Sequence, residues 1–253
     1  MGDDMEIPQK LIEILCKANY VAVLTGAGIS AESGISTFRD PDGLWAKFNP
    51  MELASIDGFM SNPQRVWDWY QYRRKIIHEA KPNPGHYALV EMEKIFPQFT
   101  LITQNVDRLH QQAGSTSVIE LHGNIIENHC FNCKTPYKGE IDLSSGTIPR
   151  CPVCGGLIRP SVVWFGEMLP VDALEAAEQS ARECDVFFSI GTSAEVYPAA
   201  NLPYIAKQSG AVLVEVNPNP TVLSPYVDYK IAETSAKSLP RIVELLKQAK
   251  GML

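Results

Sequence analysis

Basic residues are in short supply: 22 lysines and arginines face 29 aspartates and glutamates, which leaves a formal net charge of -7. No general positive footprint for nucleic acid exists, so direct nucleic-acid binding is not expected. Long hydrophobic runs are absent too, since none approaches the ~20 residues that a membrane helix needs. The opening residues, MGDDMEIPQK, lack the charged and apolar blocks of a signal peptide. These absences point to a cytoplasmic protein with no membrane partner. Cysteine is scarce, with 6 in 253 residues. In a chain of this kind the six read as metal ligands plus buried thiols, not as a disulfide framework. No internal repeat or low-complexity segment is present.

What is there suits a soluble globular protein. Hydrophobic residues make up 45% and charged residues 20%, and the length suffices for one well-buried core with a smaller lobe. Ile7, Leu11, Ile12 and Leu15 fall at helical spacing. Short apolar runs at Tyr20–Leu24, Phe99–Ile102, Val118–Leu121, Asp185–Ile190, Val212–Val216 and Tyr229–Ile231 read as strands. Helical stretches at Pro84–Ile95, Val171–Glu183 and Ser238–Lys250 alternate with them, the last with Ser238 as N-cap. This alternation predicts an α/β fold with a doubly wound parallel sheet. The aromatic-rich segment Trp45–Tyr72 reads as a helical insertion. Val66–Ile77 reads as one helix with Val66, Trp69, Tyr70, Arg73 and Ile77 along one side.

The centre of the chain is the stretch TQNVDRLHQQAGSTSVIELHGNIIENHCFNC, residues 103–133. Gln104, Asn105 and Asp107 follow one strand, and His122-Gly123 follow the next. Polar groups at the end of a buried strand are costly unless partnered. Three of them close to a candidate base fit a ligand site at the carboxyl edge of an α/β sheet. Taken alone, His122 also fits a structural histidine. Gly26, Gly28 and Ala31 match G-x-G-x-x-A after a strand, a spacing that lets the backbone approach a pyrophosphate. A glycine-rich turn with no ligand fits the same residues. The acidic ribose reader expected ~20 residues further on is not evident, because Asp40 and Asp42 sit in a turn-like DPDG. Gly191-Thr192-Ser193 again place small and hydroxyl residues after a strand, suited to phosphate or ribose. Cys130-x-x-Cys133 and Cys151-x-x-Cys154 carry the spacing of a tetrahedral zinc site. Four thiolates close the coordination sphere, which makes the metal structural. Disulfide pairing is the alternative. Cys16 and Cys184 read as buried thiols.

The motifs GAGISAESGISTFR, TQNVDRLH, ELHGN, the paired Cys-x-x-Cys, VVWFGE, GTSAEVYPA and VNPNPT together resemble the sirtuin family of NAD-dependent protein lysine deacylases. Their order and spacing carry the resemblance from about Tyr20 to Lys237. It implies a Rossmann-like large domain built from 1–40, 81–126 and 161–253. A small domain is implied from a helical part at 41–80 and a zinc ribbon at 127–160. It implies NAD and one structural zinc ion as cofactors, and acylated-lysine proteins or peptides as partners. By resemblance Gly26, Ala27, Ile29, Phe38 and Arg39 belong to the NAD loop. Gln104, Asn105 and Asp107 surround the nicotinamide and its ribose, and His122 is the catalytic base. Gly191, Thr192, Ser193, Asn217 and Ala236 lie on the adenosine side. Val163 and Phe165 pair with the substrate backbone as a strand.

The Y-x-x-R pair Tyr70 and Arg73, with Ala54 before it, resembles the subgroup that removes succinyl and malonyl groups. A phenol beside a guanidinium is suited to gripping a carboxylate, and Ala54 would leave room in the acyl channel. Helical packing with acetyl-lysine as substrate is the alternative reading of the pair. Two other classes compete: a transferase moving ADP-ribose to a protein side chain, and a non-catalytic NAD-sensing module. Arg108 stands where many family members carry glycine, and so does Asp40.

Overall fold

The computed structural model describes residues 6–37, 49–142 and 146–252. Phe38, Arg39, Asp40, Asp42 and the start of the aromatic-rich segment lie outside the described residues. Helix α1 (Gln9–Lys17) leads into strand β1 (Tyr20–Thr25), which is followed by a 3-10 helix, Ala27–Ser33. Helices α2 (Pro50–Leu53), α3 (Ile56–Ser61), α4 (Pro63–Glu79) and α5 (Pro84–Ile95) precede β2 (Gln98–Thr103). Next come α6 (Leu109–Ala113), β3 (Val118–Glu120), β4 (Gly123–Cys130), β5 (Pro136–Tyr137) and β6 (Ile158–Val162). The chain closes with α7 (Val171–Glu183), β7 (Val186–Ile190), α8 (Leu202–Gln208), β8 (Val212–Val216), β9 (Tyr229–Ile231) and α9 (Ser235–Ala249).

Among the described residues, six strands form a sheet in the order β3-β2-β1-β7-β8-β9. Every pairing in it is parallel. This is the doubly wound arrangement, and the strand order reverses between β1 and β7. The central strand is buried along its whole length, as a continuous apolar run requires when both faces are covered. Val21 and Val23 pack on one side with Leu11 and Leu15 of α1, Leu89 of α5 and Ile242 of α9. Ala22 and Leu24 pack on the other with Ala177 of α7 and Leu202 of α8. A second, antiparallel sheet, β5-β4-β6, carries the cysteine pairs.

Helix ends follow their capping chemistry. Asn62 accepts from the Arg65 amide at 3.0 Å and Asn83 from the Gly85 amide at 2.9 Å, each just ahead of a proline at the first helical position. The closing helix departs from the sequence reading. It starts at Ser235, and the Ser238 hydroxyl donates back to the Thr234 carbonyl at 2.8 Å instead of capping. Cys184 is buried, but Cys16 is only half-buried. Helix α4 buries a second side that its periodicity did not announce. Trp67 packs against Cys130, Cys151 and Ile158, and Arg74 donates to the Ile125 carbonyl at 2.8 Å and to Asn128 Oδ1. The cysteine ribbon covers that side.

Candidate active site

The carboxyl ends of β1, β2 and β7 converge where the strand order reverses, the usual ligand crevice of such sheets. Backbone bonds lock them together: Gly26 N–H to Ile190 O at 3.0 Å, Gly28 N–H to Gly191 O at 2.8 Å, and Gln104 N–H to Thr25 O at 3.0 Å. A Cβ on Gly26 would stand 2.7 Å from Thr192 Cβ, and one on Gly28 2.7 Å from Gly191 Cα. Both glycines are thus required by the closeness of the two strand ends, whatever binds beside them. The helix that follows is 3-10. Ile29 turns its side chain fully into the core, so toward the crevice it offers main chain alone. Ala27 is half-buried beside it.

Around this point lies a closed polar network. Asn105 Nδ2 donates to Gly26 O at 3.1 Å and to Ser30 Oγ at 3.3 Å. Asp107 accepts from Ser30 Oγ at 2.8 Å and from the Leu109 amide at 2.9 Å, while burial pushes its carboxyl above the usual range. Gln104 Nε2 donates to Thr192 Oγ1 at 2.9 Å, and Asn217 Nδ2 donates to Thr192 O at 3.1 Å. Ser193 is half-buried next to them. Ala236, in the first turn of α9, donates its amide to Glu32 Oε2 of the 3-10 helix at 3.3 Å. Beneath lie two buried histidines that the sequence reading passed over. His86 Nε2 is 3.4 Å from Ser30 Oγ, and His110 Nε2 is 2.9 Å from Thr25 Oγ1. Burial lowers them to about 4 and about 3. Their signal in the sequence was only a lone histidine in each of two helices, α5 and α6.

His122 stands in the turn between β3 and β4. Its Nδ1 lies 3.0 Å from the Gln104 carbonyl. A carbonyl accepts only, so Nδ1 carries the proton and Nε2 presents a lone pair. Burial lowers the imidazole below its ordinary value, against an opposing pull from the Gln104 carbonyl. Gly123 follows with φ 68°, and a Cβ there would stand 2.0 Å from Ser161 O. Glu120 and Asn124 brace the two sides of this turn through a 2.9 Å bond. Arg108 adopts the left-handed region, φ 61°. That explains why glycine suits the position, and the arginine lies within 3.6 Å of Glu120 and 3.7 Å of Glu127.

Val163 donates its amide to His122 O at 2.9 Å, and Phe165 donates to Ala54 O at 2.8 Å. Both amides are thus committed within the chain, so a peptide lying along this segment cannot use them as donors. The Phe165 ring is exposed. Ala54, Tyr70 and Trp164 share one buried apolar cluster. Tyr70 is fully buried, and the half-buried Arg73 holds its guanidinium carbon 5.7 Å from the phenol ring. Burial lowers the Arg73 guanidinium and raises the Tyr70 phenol.

The sulfurs of Cys130, Cys133, Cys151 and Cys154 all lie within 4.8 Å of one another, with pairs at 3.4 and 3.7 Å. A disulfide requires about 2.05 Å. Tetrahedral thiolates on zinc, with Zn–S near 2.3 Å, stand about 3.8 Å apart. The donor set therefore fits one structural zinc ion.

Fold and site together define a doubly wound α/β protein with a crevice at its switch point and a four-thiolate zinc ribbon. A family model described as "Sir2 family" matches residues 26–198, and the chain belongs to that family, the sirtuins. It is 51% identical over 231 residues to the NAD-dependent protein deacylase of Aquifex aeolicus (strain VF5), covering 91% of this chain and 97% of the relative. It superposes on a Sir2 homologue solved as an NAD complex with a TM-score of 0.91 at 41% identity, covering 98% and 97% of the two chains. Sir2Af2 bound to a myristoylated histone peptide gives a TM-score of 0.79 at 40% identity, covering 96% and 98%.

Proposed function

We propose that this chain is an NAD-dependent protein lysine deacylase that removes succinyl, malonyl and acetyl groups from lysine, releasing nicotinamide and O-acyl-ADP-ribose. The observation that carries the reading is His122, held by the Gln104 carbonyl in the tautomer that leaves Nε2 as a base. Burial keeps the ring neutral at pH 7, so Nε2 can take a proton from a ribose hydroxyl. NAD, when bound, supplies an electrophilic ribose carbon and nicotinamide as leaving group. The donor set suits it, since amides and hydroxyls gather at the strand ends to meet carboxamide and ribose. Gln104, Asn105 and Asp107 serve its nicotinamide side. Gly26, Ala27 and the main chain of Ile29 serve the loop, together with Phe38 and Arg39. Gly191, Thr192, Ser193, Asn217 and Ala236 serve the adenosine side. The zinc takes no part in bond making.

The acyl preference rests on Ala54, Tyr70 and Arg73. The half-buried Arg73 guanidinium is suited to pairing with a carboxylate brought by the substrate, and Ala54 is the small residue in the buried cluster that holds Tyr70. Val163 and Phe165 seat the peptide. The test is a side-by-side assay of one peptide carrying acetyl-lysine or succinyl-lysine, with and without NAD, following nicotinamide and free-lysine peptide. NAD-dependent succinyl turnover with the higher kcat/KM is expected, and Arg73→Met should reverse the preference. An acetyl preference untouched by Arg73→Met would reduce Tyr70 and Arg73 to packing residues. Nicotinamide release without free lysine would instead favour ADP-ribose transfer.

A further inference from the structure

Trp164 joins the acyl end of the cleft to the peptide-seating segment, and the chemistry above makes no use of it. Its indole Nε1 lies 2.9 Å from Tyr70 Oη, with both side chains buried. An indole N–H only donates, so Tyr70 is the acceptor and its single proton points elsewhere. The indole is fixed on several sides. The Arg159 guanidinium carbon sits 3.3 Å from the ring centroid. Arg159, 1% exposed, is held by both oxygens of Glu167 at 2.6 and 3.0 Å and by the Val162 carbonyl at 2.6 Å. Glu167 accepts the Trp164 amide at 2.8 Å and returns its own amide to the Trp164 carbonyl at 3.0 Å. The Phe59 ring packs 5.3 Å from the indole.

We infer that Trp164 is a positioning residue for acyl specificity. By filling one lone pair of Tyr70 Oη with its N–H, it commits the phenol proton to the terminal carboxylate of an acyl chain held by Arg73. The inference rests on the reading of Tyr70 and Arg73 as a carboxylate clamp. An accepted hydrogen bond also polarises the phenol and makes it the stronger donor. An acetyl group carries no terminal carboxylate, so the effect falls on the acidic acyl groups.

The readout is the succinyl-to-acetyl ratio of kcat/KM. Trp164→Phe should lower it about tenfold, the worth of one hydrogen bond to a charged group. In a Tyr70→Phe background the same substitution should leave the ratio unaltered. If the phenylalanine variant does not fold, 3-benzothienylalanine at 164 replaces the N–H with sulfur and keeps the ring's shape. A Trp164 that only supports the fold would slow both substrates alike, and an unchanged ratio overturns the inference. So does an equal effect with and without the Tyr70 hydroxyl. Arg73→Met separates the two levels. If it collapses the ratio while Trp164→Phe does not, only the role of Trp164 falls. If it leaves the ratio unchanged, the clamp itself is wrong.

Discussion

His122 has one tautomer because its neighbour is a carbonyl, and a low proton affinity because it is buried. The sign of the pH dependence follows. With His122 as the proposed base the neutral ring is the active form, so kcat/KM should fall as pH drops through an apparent pKa below the ordinary ~6.5, and stay level above it. A limb centred at or above 6.5 would contradict the burial. His122→Ala should remove the limb and lower the rate by about 100-fold or more, with nicotinamide and free-lysine release as readouts. The sequence offered His122 through its setting between ELHGN and QNVD. It did not offer the tautomer, which depends on a carbonyl 18 positions earlier.

At the scale of elements, the turn from β3 into β4 holds the site together. Gly123 combines a positive φ with a carbonyl oxygen in the space a side chain would need. Gly123→Ala should therefore force β4 away from β6 and displace His122. A fall in Tm of several degrees, together with loss of turnover, is expected. A stable, fully active alanine variant would refute this account. The strands of the parallel sheet were legible because each is a short apolar run beside turn residues, and α5 was legible from its proline start, whereas β4, β5 and β6 of the ribbon carry no such run. The second buried side of α4 was not. Trp67, Gln71 and Arg74 read as surface until the ribbon is laid over them. The true start of α9 was hidden because Thr234, Ser235 and Ser238 all carry capping hydroxyls, and only the packing against the 3-10 helix selects among them.

The whole molecule couples a sheet that forms the crevice to a ribbon that needs a metal. Cys130 ends the strand that begins next to His122, and Cys130 and Cys151 are buried against Trp67 and Ile158. Removing zinc should therefore loosen the small lobe and reach His122 through β4. A chelator that lowers Tm by on the order of 10 °C and abolishes turnover, both restored by zinc, is the expected outcome. Full activity after verified metal loss would show the ribbon to be independent of the site. Among the described residues no helix is long and apolar enough to cross a membrane. One bond noted earlier also sets how accurately the parts can be assembled. The Val163 amide reaches the His122 carbonyl directly, so the segment proposed to seat the peptide and the proposed base are one link apart. In machining, error accumulates with every joint between two working faces; here there is a single joint.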